Sequence, residues 1–381
     1  MTKRTLLAAG ALALAAACAG SDEFANATPD VRGQLVELAG TNTEGIPTAL
    51  AMEGVTQQGS TSGPEYLART RATIKALNDL VAKFLKPVED AVAQGAKDGQ
   101  AVGDAKVYGP KDENGITWLL TVRRLAPRSF AWVLQGKPAG SADSAYVRVA
   151  AGALRRIGNQ AHRGSGVTGI DLDAYAGIDS SSHAQGKLLN AFKHVGDDGE
   201  AKVIVYRLKG FTADSTQSPP ADAILYGHRT PSGEAVVRVV AVSESLGPLP
   251  PSTSDAGVEL LLARLHWIPG TGGRADLYFP TLNAQGQSPN GDVPAGKFIV
   301  ARSCWDAGEQ EGFKTVLLCT AGQPIDATNC QVSVTGSAAA CRPGVDTDDE
   351  PTDADKDSTA AEPGAPATLD DQPPAQMPTA G

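Results

Sequence analysis

Apolar residues follow two different periods along this chain. Between Pro64 and Gly95, Leu67, Ile74, Val81 and Val88 recur every seven residues, and Leu77, Phe84 and Ala91 follow three positions after the last three of them. That spacing puts the apolar side chains on one stripe of a helix. Pro64 suits a helix start, Pro87 is expected to kink or end the regular part, and Gly95 closes it. A stripe of this kind can form a coiled coil, but a helix stopped by proline is expected to bury its apolar face on a sheet. From Asp104 onward the period falls to two. Ile116, Trp118, Leu120 and Val122 alternate with their neighbours, as do Phe130, Trp132 and Leu134, and then residues 203–208. These are strands, clearest at 116–125, 129–136, 201–209, 234–243 and 257–267. Asn114-Gly115, Asp198-Gly199, Ser232-Gly233 and Gly272-Gly273 punctuate them as tight reversals.

About a dozen strands without βα alternation predict a mainly β (α+β) fold. The expected form is an antiparallel β-meander making a half-barrel, barrel or sandwich, with one long N-terminal amphipathic helix packed on it, since a wide twisted sheet curls or splits. The segment Val258–Trp267 carries bulky apolar residues at both parities, which predicts burial on both faces. The expected organisation is a signal peptide (1–17), a tether and loop (18–63), the amphipathic helix (64–95), an antiparallel β domain ending in a disulfide-stapled segment (96–341) and a disordered acidic tail (342–381).

The leader consists of Lys3 and Arg4 followed by an apolar run from Leu6 to Ala17. A helix needs about 20 apolar residues to cross a bilayer, so the run is too short to span one and reads as a cleaved signal. Ala15-Ala16-Ala17-Cys18 resembles the lipobox of bacterial lipoproteins, departing from it at Ala15, where that family usually has Leu. The resemblance implies a diacylglyceryl group on Cys18. Ala19 stands where an aspartate would retain an enteric lipoprotein at the inner membrane, so outer-membrane placement is implied. The chain thus resembles uncharacterised Gram-negative cell-envelope lipoproteins, with a weaker echo in its ending from Cys304-Trp305 to Cys341; that class has no common activity.

Five cysteines are an awkward number for an exported chain. With Cys18 lipidated, Cys304, Cys319, Cys330 and Cys341 form an even set suited to two disulfides in an oxidising compartment. Three pairings are possible. Strands on either side of a turn at 323–328 favour Cys319 with Cys330, nested inside Cys304 with Cys341. No C-x-x-C pair or histidine sits at metal-ligand spacing, so no metal is expected.

The net charge of −10 is located mostly in the tail, where residues 345–381 hold ten Asp or Glu and one Lys. The remainder is near neutral and offers no case for nucleic acid. The tail lacks the apolar residues needed to offset its ordering entropy, so disorder is expected. Asp353, Asp355 and Asp357 open like a calcium loop, but Ser358 and Gly364 occupy the positions that need Gly and a bidentate Glu.

Other motifs fail on context. Gly164, Gly166 and Gly169 spell G-x-G-x-x-G, yet no strand feeds them and residues 170–173 read as a strand, so dinucleotide binding is not expected. Gly291 to Lys297 approximates a phosphate loop, but Phe298 replaces the hydroxyl and Pro294 removes an amide. No two of His162, His183, His194, His228 and His266 have zinc-protease spacing, and there is no G-x-S-x-G. Residues 180–182 beside His183 read as a polar loop, Asp171 and Asp173 as carboxylates on one wet strand face. Arg123, Arg124, Arg128, Arg148, Arg155 and Arg156 read as a solvated rim in preference to a lipid or polysaccharide site. No catalytic residue and no cofactor is therefore assigned. The expected function is a cell-envelope lipoprotein with a non-enzymatic binding or structural role, held to the membrane through Cys18 and enclosing an apolar ligand or meeting an envelope protein. The alternatives are an envelope hydrolase with residues from separate loops, or an interaction subunit of a surface assembly.

Overall fold

The computed structural model describes residues 64–95, 100–102, 105–156, 164–194, 202–212, 215, 220–230, 232, 234–243, 258–282 and 293–341. The expected signal peptide, Cys18, the expected tether, the acidic tail segment, His162 and the reversal expected at Asp198-Gly199 lie outside the described residues.

Helix α1 (Glu65–Gly95) precedes fifteen strands. They are β1 (Gln100–Val102), β2 (Ala105–Glu113), β3 (Ile116–Ala126), β4 (Ser129–Pro138), β5 (Val147–Arg156), β6 (Gly164–Asp171), β7 (Gln185–His194), β8 (Lys202–Thr212), β9 (Ala221–Arg229), β10 (Ala235–Ser243), β11 (Glu259–Ile268), β12 (Gly272–Phe279), β13 (Lys297–Asp306), β14 (Glu311–Thr320) and β15 (Cys330–Gly336). A short helix, α2 (Leu172–Ala176), interrupts the connection from β6 to β7. Each strand pairs with its sequence neighbours in one mainly antiparallel sheet, and no pairing joins β15 to β1 among the described residues. The sheet is not closed, so neither a closed barrel nor a two-sheet sandwich describes it.

A meander sorts its connections. Those leaving odd-numbered strands lie at one end of the sheet, the lower end; those leaving even-numbered strands from β2 onward lie at the other, the upper end. The Asn114-Gly115 turn joins β2 to β3, with φ of 52° and 78° at its two residues, a conformation Gly and Asn accept readily. Gly272-Gly273 behaves differently from expectation. The reversal falls on the residues before it, and the glycine pair opens β12.

α1 lies on one face of the sheet. Leu67, Ile74, Leu77, Val81, Phe84, Leu85 and Val88 are at most 2 % exposed, each worth roughly 1.5–3 kcal/mol relative to an exposed side chain. The helix continues past Pro87 to Gly95 instead of ending there. The same-face row of the strands runs through Trp132, Gly152, Thr168, Asn190, Tyr206 and Leu225 in successive strands. The opposite face is barer than the sequence implied. Leu262 in β11, with Val240 and Tyr278 beside it in register, is 38 % exposed. Double burial is reached only at the end of that strand, where Leu265, His266 and Trp267 are buried, while the face away from α1 stays open around Leu262, Val240 and Tyr278.

The two disulfides are Cys319–Cys330, joining residues directly opposite in β14 and β15, and Cys304–Cys341, drawing the chain after β15 back over β13.

Candidate functional site

The groove between α1 and the sheet concentrates the molecule's buried polar chemistry. Pro64 starts the helix by offering its carbonyl to Ala68 N at 3.0 Å. From there α1 crosses the sheet diagonally, from the lower end of β13 and β14 to the upper end beside α2.

At the lower end, Arg71 donates twice to the Glu309 carboxylate in the β13–β14 turn, at 2.5 and 2.6 Å. Its guanidinium carbon also sits 5.9 Å from the centre of the Trp267 ring. Trp267 stacks on Trp305 at 6.3 Å between centroids. Gly273 lies between the two tryptophans in register, and a Cβ there would come within 2.4 Å of the Trp305 ring. Nearly two turns earlier in the helix, Glu65 accepts from Lys314 of β14 at 2.5 Å, and Lys314 lies 5.0 Å from the Tyr66 ring. Burial pushes the Glu65 carboxyl up, but Lys314 and Arg69 outweigh it and hold the group below its ordinary range. The Arg71 hydrogen bonds hold Glu309 low against a smaller desolvation effect. Burial, helped by Glu65, pushes the Tyr66 hydroxyl up to about 12.

At the middle, Tyr206 in β8 donates to Asn78 Oδ1 at 3.0 Å, both residues being almost fully buried. Thr168 and Asn190 continue the polar row into β6 and β7. At the upper end Tyr175 of α2 meets Phe84 edge-on at 5.1 Å, stacks with Trp118 at 6.4 Å and receives Lys83 over its ring at 4.6 Å. Its hydroxyl donates to Asp179, and burial followed by that carboxylate raises its pKa.

The residues singled out from sequence are dispersed. His194 is buried at the lower end of β7, opposite Lys202; His183 precedes the other end of the same strand. His228 lies on β9, and His266 is hydrogen-bonded to Glu234 at 2.5 Å. Ser181 donates to Asp179 at 2.6 Å, tying down its own loop. The G-x-G-x-x-G string is itself strand β6, and residues 170–173 do not extend as a strand: Asp171 caps α2, accepting from Ala174 N at 3.0 Å. Asp173 accepts from Gly186 N at 2.8 Å, so the two carboxylates serve different backbone donors. Pro294 accepts from Lys297 N in a turn that leads into β13. Among the described residues no group of three His, Cys, Asp or Glu is placed to hold a metal ion.

Sequence reasoning passed over Asn78, Tyr206, Arg71, Glu309 and Glu65. A signal for one of them exists. Asn78 falls four residues after Ile74 and three before Val81, within the apolar stripe, where a polar side chain needs a buried partner. Nothing local marks the others.

The arrangement fastens a helix into a sheet at three stations. No protein-family model matches the chain, and no curated protein or solved structure is significantly similar to it.

Proposed function

We propose that the chain is a cell-envelope lipoprotein with a non-enzymatic binding role, in which the sheet forms a half-barrel around α1 and the groove between them encloses an apolar ligand. Cys18 carries the lipid, and Ala19 favours the outer membrane. One observation carries the binding reading. Charged side chains on α1 are engaged with partners, Arg71 with Glu309, Glu65 with Lys314 and Lys75 with Asp79, while the sheet-facing stripe is lined by Leu, Ile, Val, Phe and Trp side chains around the polar row of Asn78, Tyr206, Thr168 and Asn190. Such a surface suits hydrocarbon and brings no nucleophile and base together.

The two disulfides are compatible with an exported protein. No helix among the described residues is long and apolar enough to cross a membrane.

Native mass spectrometry of detergent-free protein tests the ligand reading, with a bound lipid mass released on unfolding as the expected result. Protein that carries no such mass and whose melting temperature is unmoved by added fatty acid overturns it. Turnover of an envelope polymer by the pure protein would replace it with the hydrolase. For the anchor, Cys18→Ser is expected to abolish palmitate labelling, and persistent labelling would overturn the assignment.

A further inference from the structure

The two edges of the sheet are finished differently. Edge strands are ordinarily blunted by shortness, charge, proline or a bulge, because their unpaired backbone groups recruit another strand. β1, at one edge, is three residues long. β15, at the other, has seven residues, six of them exposed, with no charged residue, no proline and no register shift against β14. Among the described residues β14 is its only strand partner.

Covalent bonds hold β15 where its own burial does not. Cys319–Cys330 pins its first residue to β14, and Cys304–Cys341 pins the chain that follows its last. A strand fixed in this way loses little freedom on pairing with another.

The bonds at its two ends decide which backbone groups face outward. Thr320 N donates to Asn329 O and Ser337 N to Gly312 O, each at 3.0 Å. Hydrogen-bonded and non-bonded positions alternate along an antiparallel ladder, so Gln331, Ser333 and Thr335 bond toward β14. Val332 and Val334 therefore turn their N–H and C=O groups to the open side. Their side chains are 51 % and 53 % exposed. Val332 ends an in-register apolar row that runs back through Leu317, Val300, Tyr278 and Leu262 on the face away from α1.

We propose that β15 is the contact between two copies of this chain, joined β15 to β15 antiparallel about a twofold axis normal to the sheet. Centring the pair on Ser333 overlaps all seven residues. It sets Val332 opposite Val334 of the second copy, matching the outward backbone groups, and Gln331 opposite Thr335, with no charge facing charge. The open faces then lie on one side, and the apolar rows meet at the valines. Such a like-with-like pair uses the edge of both copies and stops at two, whereas β1 is too short to match β15. The distribution of charge also suits it. Residues 345–381 hold ten Asp or Glu and one Lys, and they follow Cys341, which is bonded to the lower end of β13. Antiparallel pairing sends the two lower ends to opposite ends of the joined strands, about 24 Å apart at ~3.4 Å per residue. That is about three times the ~8 Å screening length at physiological salt.

Two such strands bury less than the roughly 1,200 Å² at which stable interfaces begin, so a micromolar, concentration-dependent dimer is expected. The test is sedimentation equilibrium of full-length Cys18→Ser protein across the micromolar range. Val334→Pro removes an outward N–H that β14 does not use and should weaken the dimer at least tenfold, because the twofold counts the loss twice. If Val334→Pro alters the circular dichroism spectrum, Val332→Lys, at an exposed edge position, carries the comparison. Leu262→Lys, on the open face but four strands in, should dimerise like the parent. Ser333→Cys should cross-link to its own copy under mild oxidation, since facing non-bonded positions bring Cα atoms to about 4.5 Å. Ser232→Cys, exposed in the β9–β10 connection, should not. A monomer at every concentration overturns the proposal, as does a dimer unmoved by Val334→Pro and Val332→Lys or one abolished by Leu262→Lys. So does cross-linking of Ser333→Cys no faster than of Ser232→Cys. Because the protein tested has no Cys18, the outcome does not depend on the anchor assignment.

Discussion

Tyr206 donates its phenolic hydrogen to Asn78 Oδ1 across 128 residues of sequence, joining the middle of α1 to the middle of the sheet. Both side chains are buried, so removing either one takes from the other a hydrogen bond made away from bulk water.

Tyr206→Phe is therefore expected to cost about 1–2 kcal/mol, read from urea unfolding followed by far-UV circular dichroism. Combining it with Asn78→Leu should cost less than the two single changes together, because the hydrogen bond they share is lost only once. Strict additivity would show that the two residues do not act as a pair.

The Arg71–Glu309 contact makes helix docking sensitive to acid. Glu309 titrates below its ordinary value of 4.5 because Arg71 hydrogen-bonds the charged form, and Glu65 is also lowered. A carboxyl whose pKa drops on folding contributes stability above its unfolded pKa and loses it as pH falls through the folded one. Melting temperature should consequently drop as pH falls below about 4.5. Glu309→Gln should flatten that drop while costing under about 1 kcal/mol at neutral pH, since the pair is partly exposed and screened. An unchanged acid profile in Glu309→Gln would count against the contact as its source.

Gly273 is required by the tryptophan pair. A Cβ there would lie 2.4 Å from the Trp305 ring and 2.7 Å from the His266 carbonyl oxygen, so backbone as well as side chain must move. Gly273→Ala should destabilise by about 1–3 kcal/mol and shift tryptophan emission toward that of exposed indole. Gly308→Ala, whose Cβ would meet the Asp306 carboxylate at an ordinary 3.4 Å, should stay within about 0.5 kcal/mol of the parent.

Local features of this fold are legible without coordinates. Alternation at Ile116 to Val122 and Phe130 to Leu134 marks strands, and Asn114-Gly115 marks a reversal, because period and turn chemistry depend only on near neighbours. The same reasoning misplaced residues 170–173. Asp171 can continue a strand or cap a helix, and the choice fell to the cap when its carboxylate took Ala174 N. It also misjudged Leu262: alternation says which residues share a face, while the cover on that face comes from elements distant in sequence.

The arginines show the same division. Their number in residues 116–170 is a property of the sequence, but the arrival of Arg123, Arg124 and Arg155 at one end of the sheet, with Arg148 toward the other, depends on strand register. By itself the sequence determined the mainly β class, most strand positions and the location of the chain's charge, all short-range consequences of side-chain type. Only the tertiary structure decided that one open sheet carries α1 on a single face, that Asn78 meets Tyr206 and that Arg71 meets Glu309. Those contacts join residues more than a hundred positions apart, and such partners are selected by the packing of the whole sheet.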